Sequence, residues 1–271
     1  MRSFLRWAGS KPLLLGRLKS YWPGGARRYI EPFCGSARLF FDLEPEIAVL
    51  GDVNEELLYA LRAIRSDPHL VLESCMRFPK GKSGYYRVRA MSPRSLASAE
   101  RAARFLYLNR YCFNGIYRTN LGGVFNVPYG PPKSGLPVDA AVLVEASRAL
   151  QNATLMHGDF EQTLEYVSPG DFVYLDPPYC VNSRRVFAEY GTGSFAVSDL
   201  SRLKKQLLRV HELKAIFVVS YADCTEAREL LRPWSPLRIR TRRHIAGFSD
   251  KRRSAYELIA TNCSMILEKE L

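Results

Sequence analysis

The chain predicts an α/β fold, a doubly wound and mostly parallel sheet interrupted by a mainly helical insertion. Three observations carry this expectation. A β-α-β-α alternation opens the chain, it breaks down from Asp67 to about Leu150, and it then resumes with short apolar strands that run into acidic turns. Alternating strand and helix periods favour a parallel sheet covered on both faces.

Residues 29–30 close a first buried strand, which leads into the turn Pro32-Phe33-Cys34-Gly35-Ser36 and a helical stretch over 37–43. Residues 47–50 read as a second short buried strand ending at Gly51-Asp52, and 55–64 return to a helical period. The next region holds basic helical segments, one of them over 97–108, and then a Gly/Asn/Pro-rich loop from Asn109 to Pro137. Residues 155–157 form a short strand before Gly158-Asp159-Phe160. Phe172–Leu175 is a strand running into Asp176-Pro177-Pro178-Tyr179. An amphipathic helix follows over 199–213 with Ser198 expected as its N-cap, then a buried strand over 216–220. The tail pairs 237–245 with 256–261 across a basic loop as a terminal hairpin. Residues 1–55 plus 148–271 are thus expected to form the sheet domain, and 56–147 the insertion.

Composition narrows the class. In 271 residues, 47% hydrophobic and 24% charged side chains describe a globular chain. A net charge of +12 favours a polyanionic partner, because Lys and Arg near phosphates release counterions. Six cysteines without CxxC spacing and four histidines without an HxxxH pair speak against a zinc site or a disulfide framework. Reduced thiols and a cytoplasmic location fit better. With no apolar run near the ~20 residues of a membrane span and no signal-peptide pattern, no membrane partner is expected.

The turn after the first strand aims backbone N–H groups at a ligand. Asp52 at the end of the next strand, 17 residues after Gly35, is placed to accept from two ribose hydroxyls. Ala37 stands where a second glycine is usual. No phosphate-binding lysine motif accompanies the loop, so the nucleoside is one without phosphates, with S-adenosyl-L-methionine the candidate. Phe160 after Asp159 either stacks on the cofactor adenine or fills the core. The strongest local signal is Asp176-Pro177-Pro178-Tyr179, because two prolines force the chain out of the sheet at a strand's carboxyl end. Asp176 and the Pro177 carbonyl supply two acceptors and Tyr179 a ring face, which suits an aminated base; a capped proline turn is the bland alternative.

Together these residues resemble Dam-type, alpha-class DNA adenine-N6 methyltransferases over nearly the whole length. Phe4-Leu5-Arg6-Trp7-Ala8-Gly9-Ser10-Lys11 is similar to the family's N-terminal cofactor motif, 29–36 to its glycine loop, and Asp176–Tyr179 to its catalytic tetrapeptide. Most specific is Asn109-Arg110-Tyr111-Cys112-Phe113-Asn114-Gly115-Ile116-Tyr117-Arg118, continuing through Gly123-Val124-Phe125-Asn126-Val127-Pro128-Tyr129-Gly130, which resembles its target-recognition loop. The resemblance implies a Rossmann-like S-adenosylmethionine-dependent methyltransferase sheet with an inserted, mainly helical DNA-recognition domain. It further implies that Trp7, Lys11, Phe33, Gly35, Asp52, Asp159, Phe160 and Asp176 hold the cofactor, with Lys11 near its methionine carboxylate. Asp176, Pro177, Pro178 and Tyr179 would hold the target adenine. Arg118 would read a base edge, Phe113 and Asn114 would fill the space of the extruded base, and Arg110 would make a phosphate or structural contact. Tyr190 and Phe195 match a loop covering the site.

Charge agrees with that assignment: residues 56–147 hold 13 Lys/Arg against 6 Asp/Glu, and 201–253 hold 14 against 5, around 238–243 and 251–253. Such clusters track phosphates or form a solvated basic hairpin. The expected enzyme flips an adenine from double-stranded DNA and methylates its amino group at a GATC-like site. It would work as a monomer, without metal and without a covalent enzyme intermediate. Restriction–modification, phage and housekeeping roles all accommodate this reading. Its rivals are cytosine-N4, RNA or protein-amide methylation on the same fold, and a non-catalytic DNA-binding relative; the Asp that opens the tetrapeptide and the recognition loop favour adenine in DNA.

Overall fold

The computed structural model describes residues 4–7, 9, 11–120, 122–130, 138–179, 195–242 and 254–263. Their elements run α1 (Leu15–Ser20), β1 (Tyr29–Glu31), α2 (Arg38–Leu43), β2 (Ala48–Asp52), α3 (Glu55–Ser66), α4 (Pro68–Arg77), α5 (Gly81–Ala90), α6 (Ser98–Tyr111) and α7 (Ala140–Leu150). They continue through β3 (Ala153–His157), α8 (Phe160–Leu164), β4 (Phe172–Leu175), α9 (Val197–Glu212), β5 (Ile216–Ala222), α10 (Thr225–Leu231), β6 (Leu237–Arg242) and β7 (Ser254–Thr261).

The seven strands form one sheet in the order β3-β2-β1-β4-β5-β7-β6. The first five are parallel, while β7 runs antiparallel to both β5 and β6. Parallel strands buried on both faces demand continuous apolar runs, and β4 is buried at all four positions. The strand order reverses at β1, which pairs β2 on one side and β4 on the other. That reversal opens a crevice outside the carboxyl ends of these strands, where ligands bind in open α/β sheets.

Local chemistry sets the helix ends. Asn54 caps α3 by accepting from the Leu57 N–H at 3.0 Å, and Asp67 caps α4 through Leu70 at 2.9 Å with Pro68 in the first turn. α3 lies on the sheet edge and also packs against α4, α6 and α7, so one apolar cluster runs from the strands through the helices of residues 55–150. Arg62 and Arg65 fasten α3 to the Leu155 and Ala153 carbonyls of β3 at 2.8 Å each.

Two expected boundaries are corrected. α9 is capped at Ala196, not Ser198, because Asp199 reaches back to the Ala196 N–H at 2.7 Å. Residues 109–111 belong to α6 rather than to a loop: Asn109 and Tyr111 are buried, so the core face of the helix extends one turn further than its polar letters suggest. Beyond it, 112–120 and 122–130 form the two sides of an irregular hairpin with bridges Cys112–Tyr129 and Thr119–Phe125. Residues 131–137, Cys180, Tyr190, the 243–245 end of the expected tail strand and 251–253 lie outside the described residues. No described helix is long and apolar enough to cross a membrane.

Candidate active site

At the carboxyl ends of β1, β2 and β4 lies a cavity of about 410 Å³, within the range of small-molecule sites. Each of these strands delivers a carboxylate to it: Glu31 from the last position of β1, Asp52 from that of β2, and Asp176 directly after β4. Burial pushes all three above the ordinary carboxylate range, Glu31 well above it despite the 2.9 Å hydrogen bond from Tyr29. Burial acts this way because it disfavours the ionised form. A positive charge brought beside these acids would favour their ionised forms, as Lys11 does for Asp176.

The glycine turn is built around Asp52. One of its oxygens accepts from the Gly35 N–H and the other from the Asn54 N–H, both at 2.9 Å. Gly35 has φ +48°, and a Cβ there would lie 2.6 Å from the Trp7 ring, so the indole rests directly on the bare backbone. Ala37, at φ +48°, caps α2 in the left-handed region, which explains why glycine suits that position. On the far wall Phe33 stacks on Phe160 (5.2 Å, 26°) with Phe195 edge-on at 5.9 Å. Arg202 covers Phe160 at 4.8 Å while paired with Asp159, Glu161 and Asp199. Phe160, 5% exposed, is thus packed between its neighbours, and the aromatic cluster forms an apolar wall of the cavity.

The opposite end holds a buried polar cluster. The Lys11 ammonium lies 2.7 Å from Asp176 Oδ1, 2.7 Å from the Tyr179 hydroxyl and 3.5 Å from Glu257 Oε2. Tyr179 donates to Glu257 at 3.1 Å, and Ser220 donates to Asp176 at 3.1 Å. The Lys11 ammonium is held well above its ordinary value: burial works against the charge, but Asp176, Tyr179 and Glu257 outweigh it. Cys34 also lines the cavity, but burial pushes its thiol well up, so it is a poor nucleophile.

The irregular hairpin is tied to this cavity through aromatic rings. Tyr117 stacks on Trp7 (6.0 Å, 23°) and packs against Phe105 and Phe125. Asn109 accepts from the Arg6 N–H at 2.9 Å and donates to the Arg6 carbonyl at 2.7 Å, strapping the N-terminal segment to α6. Arg89 and Tyr85 grip the Val127 carbonyl. Arg118 donates to Asn126 at 2.9 Å, Phe113 is exposed, and exposed Asn114 sits at φ +55°.

Trp7, Lys11, Phe33, Gly35, Asp52, Asp159, Phe160 and Asp176–Tyr179 all line the one cavity. Arg110, Phe113, Asn114 and Arg118 fall outside it, on the end of α6 and the hairpin. Sequence reasoning missed Glu31, Glu257, Tyr117, Ser220, Arg38 and Arg202. Glu31 carried a readable signal, an acid closing a buried strand as Asp52 does. Glu257 carried none, since a lone acid in an apolar strand reads as solvent-facing.

The chain is similar to known proteins over most of its length. Residues 7–245 match the family described as D12 class N6 adenine-specific DNA methyltransferase. The chain is 34% identical to the Type II methyltransferase M1.LlaDCHI of Lactococcus lactis subsp. cremoris, over 97% of this chain and 95% of that protein. It is 31% identical to the Type II methyltransferase M.MjaIII of Methanocaldococcus jannaschii, over 97% and 99%. It is also 31% identical to the DNA adenine methylase of Escherichia coli K12, over 96% and 94%.

Proposed function

Because this chain belongs to the D12 class of N6 adenine-specific DNA methyltransferases, we propose that its methyl donor is S-adenosyl-L-methionine, held in the cavity beneath the glycine turn. The observation that carries the reading is the meeting of an acid-lined cavity, an aromatic wall and the Asp176–Tyr179 turn at the reversal point of the sheet. The donor set fits this cofactor. The stacked Phe33–Phe160 pair would offer an aromatic wall for its adenine and Asp52 would take the ribose hydroxyls. Glu31 would face its ammonium group. Arg38 lines the cavity with a buried Nε that has no partner among the described residues, so it is the candidate for the methionine carboxylate. Lys11, committed to Asp176 and Tyr179, would serve the tetrapeptide instead.

When bound, the cofactor supplies an electrophilic methyl group. The chain's own residues do the rest. An adenine amino group stacked in duplex DNA is out of reach, so the base must be flipped out. Tyr179 stacks on it, and Asp176 and the Pro177 carbonyl accept hydrogen bonds from its two amino N–H groups. That pair of bonds turns the nitrogen lone pair towards the methyl group, and alignment in a preorganised polar site lowers the barrier. Arg118 would read a base edge, Phe113 and Asn114 would occupy the vacated stack, and Arg110 would contact phosphate or brace the fold. The target is a GATC-like site in double-stranded DNA, modified by a monomer in the cytoplasm.

The test is transfer of labelled methyl from S-adenosyl-L-methionine to unmethylated genomic DNA, with mapping of N6-methyladenine. Label at adenine in one short motif is expected, and Asp176→Ala should abolish it while DNA binding persists. Near-wild-type methylation by Asp176→Ala would remove that residue from the chemistry.

A further inference from the structure

The buried cluster contains one cation and two carboxylates. Lys11, Asp176 and Glu257 have side chains 7%, 18% and 5% exposed, and with all three ionised the cluster carries one unit of negative charge. Asp176 and Lys11 would balance each other without Glu257. The second carboxylate comes from β7, whose Glu257 stands opposite Ala222 of β5 and Ile239 of β6. Among the described residues it is faced by Lys11 from the N-terminal segment and by Asp176 and Tyr179 from the turn after β4, and Asp176 is also faced by Glu31 of β1 and Tyr174 of β4. Arg238 and Arg240 of β6 alternate with Ile239 and so project from the other face; the Arg238 guanidinium lies over Tyr256 and bonds Asp223.

The geometry points to Glu257 as a positioning residue of the methyl transfer: it orients Tyr179 and, by offsetting Lys11, keeps Asp176 able to take the proton that the methylated amino group must lose. This rests on the reading of Asp176 given above. Transfer forms a bond from the amino nitrogen to the methyl carbon and breaks that carbon's bond to sulfur, whose electron pair stays on sulfur. The nitrogen is left cationic. One N–H bond then breaks, its electrons return to nitrogen, and the proton passes to an Asp176 oxygen. The cluster goes from one negative charge to neutral as the cofactor loses its positive charge, so the transfer leaves the net charge of the site unchanged. A carboxylate locked one-to-one with an ammonium is a poor acceptor. Glu257 counters that, and its negative charge raises the Asp176 carboxyl while Lys11 lowers it. The second duty is geometric. The Tyr179 phenol accepts from Lys11 at 2.7 Å and donates to Glu257 at 3.1 Å, which fixes the rotation of the ring.

The experiment compares wild type with Glu257→Gln, which keeps the shape and the acceptor but removes the charge. The first readout needs no cofactor: ¹³C NMR titration of protein carrying [4-¹³C]aspartate, with the Asp176 signal identified by its loss in Asp176→Asn. The Asp176 carboxyl should titrate lower in Glu257→Gln by about one pH unit, the size expected for loss of one near charge. The second readout is single-turnover methylation of unmethylated duplex across pH. Its plateau should fall at least tenfold and its acid limb should move to lower pH, with cofactor and DNA binding within about threefold of wild type. An unmoved titration and acid limb would overturn the proposal, even with a slower plateau, because a merely structural loss slows the reaction without moving either. Should Glu257→Gln not fold, Glu257→Asp keeps the charge and should titrate as wild type; a displaced Asp176 midpoint there would equally overturn it. A wild-type enzyme that binds cofactor but labels no adenine would instead sink the underlying functional reading.

Discussion

Replacing Lys11 by Met tests how the polar cluster is balanced. Met preserves length and apolar contact but leaves Asp176 and Glu257 facing each other with no cation, 18% and 5% exposed. Removing one partner of a buried ion pair costs about 3–5 kcal/mol, because the remaining charge is uncompensated. The variant escapes part of this by binding a proton, at about 1.4 kcal/mol for each unit by which the receiving carboxylate is raised. The sign of the pH dependence follows. Lys11 is raised above its ordinary value in the folded protein, so its stabilisation is fully present below that ordinary value and is lost only as pH rises through the folded one. Wild type therefore carries it in full at neutral and acidic pH. Asp176 is already raised by burial, and without Lys11 it rises further. A raised carboxylate costs stability as pH climbs from its ordinary range through its folded value. The deficit of Lys11→Met should thus be about 3–5 kcal/mol at pH 7.5 and smaller by at least about 1 kcal/mol at pH 5.5. Urea unfolding followed by circular dichroism at both pH values measures it. A deficit under about 1 kcal/mol at pH 7.5, or an equal deficit at both pH values, would refute the reasoning.

Other perturbations probe the remaining parts of the site. Gly35→Ala forces a side chain into φ +48° and onto the Trp7 ring; a loss of at least about 1–2 kcal/mol in unfolding free energy is expected, with weaker cofactor binding by calorimetry. Unchanged values for both would show that the indole yields freely. Asp52→Asn keeps the shape but gives up the charge that accepts from Gly35 and Asn54, and calorimetry should show cofactor affinity lowered about 10- to 100-fold. Arg118→Ala should relax preference at one base pair by about 1–3 kcal/mol in a methylation profile, whereas an identical profile would take Arg118 out of recognition.

Much of this molecule was legible in local patterns. The strand Phe172–Leu175 is continuously apolar because both its faces are covered, and the two prolines that follow can only leave the sheet. Short apolar runs ending in turn residues located β2, β3 and β5, and two such runs flanking a basic loop located the terminal hairpin. Local letters misled where helix ends depend on partners: Asp199 outcompeted Ser198 as the capping group, and buried Asn109 and Tyr111 stayed in α6 although the run looked like a loop.

By itself the sequence determined the α/β alternation, the three acidic or glycine turns at strand ends, and the motifs that mark the family, because each is written in neighbouring residues with one backbone consequence. Only the tertiary structure decided who meets whom. Lys11, Asp176, Tyr179 and Glu257 come from the N-terminal segment, the turn after β4 and the penultimate element's partner strand β7, up to 246 positions apart in the chain. Trp7 finds Gly35 and Tyr117 in the same way. Such contacts are set by strand order and burial, and a buried charge is placed by the partner that compensates it rather than by its own neighbours in sequence.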